Sequence, residues 1–183
     1  MTLHDLKFPV GLYQANKTPN KKTLNHWISE IELFPEHLIH LVKDLNMEAL
    51  QWTYRPEGWT IKQVVHHCAD SHLNSISRFK LALTEDLPVI KPYNEALWAE
   101  LDDGQFNDLS VSLQFIEALH AKWVKLLCTL SEQDLQRAFV HPEHGLTFNL
   151  AETIGNYAWH GKHHLAHIKN ALKYKGNFPQ LVN

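Results

Sequence analysis

The sequence predicts an all-α protein, a four-helix bundle with a long connection between its second and third helices. Three observations predict it. Four long segments repeat apolar side chains at steps of three and four, the period of an amphipathic helix. No segment shows the two-residue alternation of a half-buried strand. No internal repeat divides the chain, so four helices that each bury one stripe are expected to share a core.

Residues up to about Asn20 contain Pro9, Gly11 and Pro19 and hold no period, which predicts an extended arm packed through Phe8, Val10 and Tyr13. From about Lys22, the residues Leu24, Trp27, Ile28, Ile31, Phe34, Leu38, Leu41, Val42 and Leu45 mark the first long helix. Pro35 removes an N–H inside that pattern, so a kink or a break is expected there. Asn46 to Gly58 reads as a connector with a short helical turn.

Thr60-Ile61-Lys62-Gln63 is a capping box that opens the second helix, which runs to about Thr84. Its apolar seam is Ile61, Val65, Cys68, His72, Ile76, Phe79 and Leu83. One residue off that seam lie Gln63, Val64, His67, Ser71 and Asn74, a face too polar for plain core. Residues 85–108 form the long connection, with a short helix expected around Asn94–Leu101. It is long enough to carry the chain back across the bundle, so the second and third helices are expected to run parallel, whereas the first and second form an antiparallel pair. The third helix starts near Ser110 with Leu113, Ile116, Leu119, Trp123, Leu127 and Leu130 as its stripe. Ser131-Glu132-Gln133-Asp134 caps a short helix, and His141-Pro142-Glu143-His144-Gly145 reads as a turn. Asn149-Leu150-Ala151-Glu152 opens the last helix, which closes near Tyr174. Gly161 lies inside it at a cost of up to ~1 kcal/mol against Ala, and close approach of a neighbouring helix is one use for it.

Composition narrows the function. A chain of 183 residues is expected to form one domain, 1–183, with a core that needs no staples. A formal net charge of −3 gives no electrostatic reason to expect nucleic acid. No apolar run reaches the ~18–20 residues of a membrane span. The first residues lack a basic region followed by an apolar one, so a cytoplasmic location is expected. Cys68 and Cys128 are far apart with no C-x-x-C, which reads as two buried, reduced thiols. The fourteen histidines are the unusual number.

Four of them crowd Tyr157-Ala158-Trp159-His160-Gly161-Lys162-His163-His164-Leu165-Ala166-His167. His160 and His164 are i,i+4 neighbours, one above the other on one face of the helix, and His163 and His167 repeat the spacing on the next stripe. Two imidazoles one turn apart can offer two nitrogens to one metal ion. The zincin motif His-Glu-x-x-His is not present, because Gly161 stands where its glutamate would be. A third ligand must come from elsewhere, and the other histidine-dense stretch is Val64-Val65-His66-His67-Cys68-Ala69-Asp70-Ser71-His72. His67 lies on its polar stripe. With His160 and His164 it would give three neutral nitrogens from two facing helices and leave a coordination position open, the pattern of a catalytic site. His66 points about 100° away from His67 around the helix. His72 sits on the apolar seam and reads as a hydrogen-bonded core histidine. His4, His26, His37, His40, His120, His141 and His144 read as non-ligands. The bland alternative is that all of these imidazoles are ordinary surface or core residues, since H-x-x-x-H also occurs on helices that bind nothing.

Longer strings carry a family resemblance. Arg55-Pro56-Glu57-Gly58-Trp59-Thr60, His67 eight residues after Trp59, and the His160/His164 pair resemble the DinB/YfiT-like superfamily. Phe79-Lys80-Leu81-Ala82-Leu83-Thr84-Glu85-Asp86, Ile90-Lys91-Pro92-Tyr93 and the whole stretch from Tyr157 to Ile168 resemble its YfiT branch. The resemblance spans nearly the whole chain. It implies a four-helix bundle, a homodimer, and a three-histidine site for one divalent metal, zinc or nickel, whose ligands map onto His67, His160 and His164. It further implies a metal-dependent hydrolase acting on a small molecule, or a thiol S-transferase that uses bacillithiol or a similar low-molecular-weight thiol.

Hydrolysis would use a metal-activated water and a nearby carboxylate base, for which Asp70, one turn beyond His67, is the candidate. The favoured reading of Asp70 is instead a partner that fixes the N–H of a ligand imidazole. Thiol transfer would want cations for an anionic thiol, with Arg78, Lys80 and Lys91 as loosely placed candidates. A third alternative is a metal-stabilised binding protein without catalysis. The residues separate these functions poorly, hydrolysis leads narrowly as the broader class, and three imidazoles suit zinc, nickel, iron or copper.

Overall fold

Helix starts fall where the sequence supplies caps. In the computed structural model, which describes residues 1–143 and 145–180, Asn20 caps α2 (Lys21–Val42) by accepting from the Thr23 N–H at 2.9 Å. Thr60 and Gln63 form the reciprocal box of α3 (Ile61–Thr84), and Asn149 accepts the Glu152 N–H at the head of α8 (Leu150–Tyr174). The third long helix, α6 (Ser110–Leu127), follows Asp108, whose carboxylate accepts the Ser110 N–H. Short pieces complete the helical set: α1 (Leu3–Lys7), a 3-10 turn at Ala49–Gln51, α4 (Glu95–Trp98), α5 (Asp102–Gln105) and α7 (Glu132–Gln136).

Two core clusters fix the directions of the four long helices. At one end, Phe34, Leu38 and Val42 from the second half of α2 meet the start of α3, Ile116 early in α6, and Leu165, Ile168 and Ala171 late in α8. At the other end, Ile28 and Ile31 meet Ile76 and Phe79 late in α3, Trp123 and Leu127 late in α6, and Leu150 and Ile154 early in α8. Thus α3 and α6 run parallel, as the long connection predicts, and α2 and α8 run the other way. Both α2 and α3 pack against α6 and α8. The first two long helices are therefore antiparallel in direction but sit across the bundle diagonal, not side by side. This diagonal places α3 against α8, which is what the histidines require.

Three local features depart from the sequence expectation. Residues Ala138–His141 (β1) and Leu146–Asn149 (β2) form an antiparallel hairpin, with Phe139 opposite Phe148. Each strand has only four residues, too few for alternation to register. The expected turn joins them, and its His144 lies outside the described residues. The N-terminal arm contains a helical turn, α1, and its buried anchor is Leu6, whereas Val10 is exposed. Finally, α2 continues unbroken through Pro35, for a reason given below.

The 85–108 connection is tied down over the first half of α3. Gln63 Nε2 donates to the Ala99 carbonyl at 3.2 Å and to Glu100 Oε1 at 3.0 Å, and His66 Nε2 donates to the Phe106 carbonyl at 3.0 Å. Among the described residues, no helix is long and apolar enough to cross a membrane.

Candidate metal centre

His67 projects from α3, and His160 and His164 project from consecutive turns of α8. The structure brings the three together: one ring nitrogen from each lies within 4.8 Å of the others. Ring centroids are 4.4 Å apart for His160 and His164, 4.8 Å for His67 and His164, and 5.5 Å for His67 and His160. The Nε2 atoms of His160 and His164 face each other at 3.2 Å. Among the described residues, no other group of histidine, cysteine and acidic side chains converges in this way.

Burial sets the protonation state. His67 is pushed down to about 4, by desolvation first and by His163 second. Desolvation also holds His160 and His164 well below the ordinary imidazole range, reinforced at His160 by His67 and at His164 by His160 and His67. Three neutral imidazoles are what a divalent ion requires of its ligands. The spacing fits as well: a tetrahedral ion with bonds of ~2.0–2.1 Å to nitrogen separates two ligand nitrogens by about 3.3–3.4 Å. At 3.2 Å two neutral nitrogens either share one N–H or, where both present lone pairs, leave a place between them that a cation fits.

The walls are aromatic and hydroxylic. Trp59 lies 4.7 Å from the His67 ring, centroid to centroid. Ser71 Oγ is 3.4 Å from His160 Nε2, and the Tyr157 hydroxyl donates to the Ser71 carbonyl at 3.2 Å. Tyr93, carried by the 85–108 connection, is held above the usual phenol range by burial, with the nearby Ser71 side chain acting against that shift.

The neighbouring histidines are otherwise engaged. His66 uses both ring nitrogens on Ser112 Oγ and the Phe106 carbonyl, facing α6. His163 stacks on Trp159 at 4.5 Å. His72 is a buried, hydrogen-bonded core residue: its Nδ1 is 2.7 Å from His120 Nε2, and its Nε2 is 3.1 Å from His160 Nδ1. His120 and His167 have larger parts than the sequence reading gives them, with His120 buried against α2 and His167 3.4 Å from His164, Nδ1 to Nδ1. His120 stands four residues after Ile116 and three before Trp123, in phase with the core stripe of α6, and that phase was the available signal. Asp70 is half-buried, and burial with the nearby Asp103 raises its carboxyl to about 6. Among the described residues its carboxylate bonds no imidazole, and the partner of His160 Nδ1 is His72.

Fold and site together define a helical bundle with a tri-histidine cluster held between two of its helices. The model of the DinB superfamily matches residues 30–168, and the chain belongs to that family. It is 50% identical over 169 residues to a protein of Oceanobacillus iheyensis named "putative metal-dependent hydrolase", covering 92% of this chain and 97% of that one. A Bacillus cereus protein of the same description is 48% identical over 171 residues, covering 93% and 98%. Among solved structures, YfiT from Bacillus subtilis superposes with a TM-score of 0.91 at 41% identity, over 94% of this chain and 98% of that one. YfiT is described as a probable metal-dependent hydrolase with an unusual four-helix bundle topology.

Proposed function

We propose that this chain is a metal-dependent hydrolase of a small molecule, with His67, His160 and His164 holding one divalent ion, zinc or nickel. The observation that carries the reading is the convergence of three imidazole nitrogens from two helices, His67 and His164 buried and His160 half-buried, with no carboxylate among them. The names given to its Oceanobacillus and Bacillus relatives support it. When bound, such an ion supplies Lewis acidity and brings a water's pKa to ~7. The chain's own residues supply the rest. Ser71 Oγ, beside His160 Nε2, offers a hydroxyl to a substrate atom at the open side of the cluster. Asp70, held at about 6, is the carboxylate proposed to take up a proton near neutral pH. Trp59 and Tyr157 shield the imidazoles from bulk water. The reading extends to a homodimer in the cytoplasm, which the family resemblance supports and sedimentation would check.

The test is elemental analysis of the purified protein, followed by two screens in parallel. About one zinc or nickel per chain, with turnover of an ester, amide or lactone, is the expected result. Turnover of an electrophile only when a low-molecular-weight thiol is added would replace hydrolysis by thiol transfer. A protein that neither holds a divalent ion nor melts higher when one is added would sink the reading.

A further inference from the structure

Pro35 explains both why α2 survives it and what its helix does for the site. In an unbroken helix the Ile31 carbonyl would accept from the N–H of residue 35, and proline has none. His120 Nδ1, reaching from α6, donates to that carbonyl at 2.6 Å. The second case is similar. Lys7 ends α1, where a carbonyl is left without a helical partner. His167 Nε2 donates to it at 3.1 Å across 160 residues of sequence.

A carbonyl oxygen only accepts, so each of these contacts fixes a tautomer and everything upstream of it. With His120 protonated at Nδ1, its Nε2 is an acceptor, and the 2.7 Å contact requires His72 to donate from Nδ1. His72 Nε2 is then an acceptor, and His160 must donate to it from Nδ1 at 3.1 Å. That leaves His160 Nε2 with a lone pair. On the other side, His167 protonated at Nε2 accepts at Nδ1 from His164 Nδ1, which leaves His164 Nε2 with a lone pair. Charged imidazoles would break this logic. Yet His72, His120, His164 and His167 are buried, and among the described residues none pairs with a carboxylate.

We propose that His72, His120 and His167 are positioning residues: two imidazole relays, each anchored on a backbone carbonyl that helix geometry has left free, lock His160 and His164 in the Nδ1–H tautomer and aim both Nε2 lone pairs at one point. The proposal rests on the reading of His160 and His164 as metal ligands. Outer partners of this kind typically change metal affinity by ~10–100-fold.

The test is long-range proton–nitrogen correlation NMR on histidine-labelled, zinc-free protein, with zinc titration of variants. Expected are Nδ1–H for His72, His120, His160 and His164, and Nε2–H for His167. His120→Phe fills the space but ends the relay, and its zinc Kd should rise by ~10–100-fold. His120→Gln can still donate to Ile31 and accept from His72, and should restore most of the affinity. Finding His160 or His164 as the Nε2–H tautomer overturns the proposal, and this holds even if a variant fails to fold. Unchanged zinc affinity in His120→Phe, or equal loss in His120→Gln, also overturns it. A protein that shows the expected tautomers but holds no zinc supports the positioning and removes the ligand reading instead.

Discussion

Phe34 of α2 is seated on Gly161 of α8: a Cβ built on the glycine would stand 2.9 Å from Phe34 Cδ2. The same ring stacks on His120 at 5.3 Å and meets His72 edge-on at 5.0 Å. Phe34 therefore has no free direction in which to retreat, because it is 2% exposed and backed by the imidazoles that support His160.

Gly161→Ala should accordingly destabilise the protein despite the better helix former. Overpacking of this kind costs about 1–3 kcal/mol, against at most ~1 kcal/mol gained in propensity. Chemical denaturation would measure the difference. The companion variant Phe34→Leu should relieve the clash, so the double variant should be less destabilised than the sum of the two singles. A Gly161→Ala protein as stable as wild type would mean that α2 and α8 slide apart cheaply.

What the sequence revealed and what it hid divide along physical lines. Helix existence and phase are local properties, written in the three-and-four spacing of residues such as Ile61, Val65, Cys68 and Phe79. The same phase put His160 above His164 and His67 on a polar stripe, and the structure brings those three together. The diagonal placement of α2 and α3 depends on how four apolar stripes share one core, and no single stripe records it. The hairpin of β1 and β2 is too short to show a period. The anchoring roles of His120 and His167 depend on carbonyls 89 and 160 residues away, at Ile31 and Lys7. Pro35 was the one local hint: a proline in a continuous apolar stripe announces a carbonyl four residues earlier that needs another donor.

Cys68 should be inert and Cys128 reactive. Cys68 is fully buried in the seam of α3, and desolvation pushes its thiol well above the ordinary range, so no thiolate is present at neutral pH. Cys128 is exposed. A thiol reagent at pH 7.5 should label one site in the native protein and two in denaturant, read by intact mass. The double variant Cys68→Ala, Cys128→Ser should keep metal content and turnover. Loss of turnover with the metal retained would make a protein thiolate the nucleophile and displace the hydrolase reading.

The chelated protein should lose stability as pH falls. The folded protein holds His120 and His67 down at about 4, against the ordinary 6.5 that the unfolded chain recovers. Below pH 6.5 the unfolded state therefore takes up protons that the folded state refuses, which favours unfolding until the folded values are reached. His120 alone accounts for about 2 kcal/mol between pH 7.5 and 5. For a chain of this size that is a fall in Tm of about 4–8 °C. Asp70 acts in the opposite sense, because its raised value lets the folded state bind a proton first, but it is one half-buried group against several buried imidazoles. Thermal melts of chelator-treated protein from pH 7.5 to 5 check the sign, and a Tm that stays level or rises would show that these imidazoles are not held neutral.

Substitution of adjacent histidines separates ligands from neighbours. His67→Ala, His160→Ala and His164→Ala should each lose most of the bound ion, because two remaining imidazoles hold a divalent cation poorly and each vacancy opens the cluster to water. His163→Ala should keep it. His163 is one residue from His164 but stacks on Trp159, and its removal leaves the three converging nitrogens untouched. His66→Ala should also keep the ion, since both of its ring nitrogens are spent on Ser112 and Phe106; its cost should appear as about 1–3 kcal/mol of stability through the loosened 85–108 connection. His72→Ala occupies the middle ground: it removes the support of His160 without removing a ligand, so affinity should fall by ~10–100-fold while a saturating ion still reaches one per chain. Elemental analysis after dialysis against a weak chelator ranks all six variants. If His163→Ala came out empty and His164→Ala full, the ligand face of α8 would lie one residue out of phase, on His163 and His167.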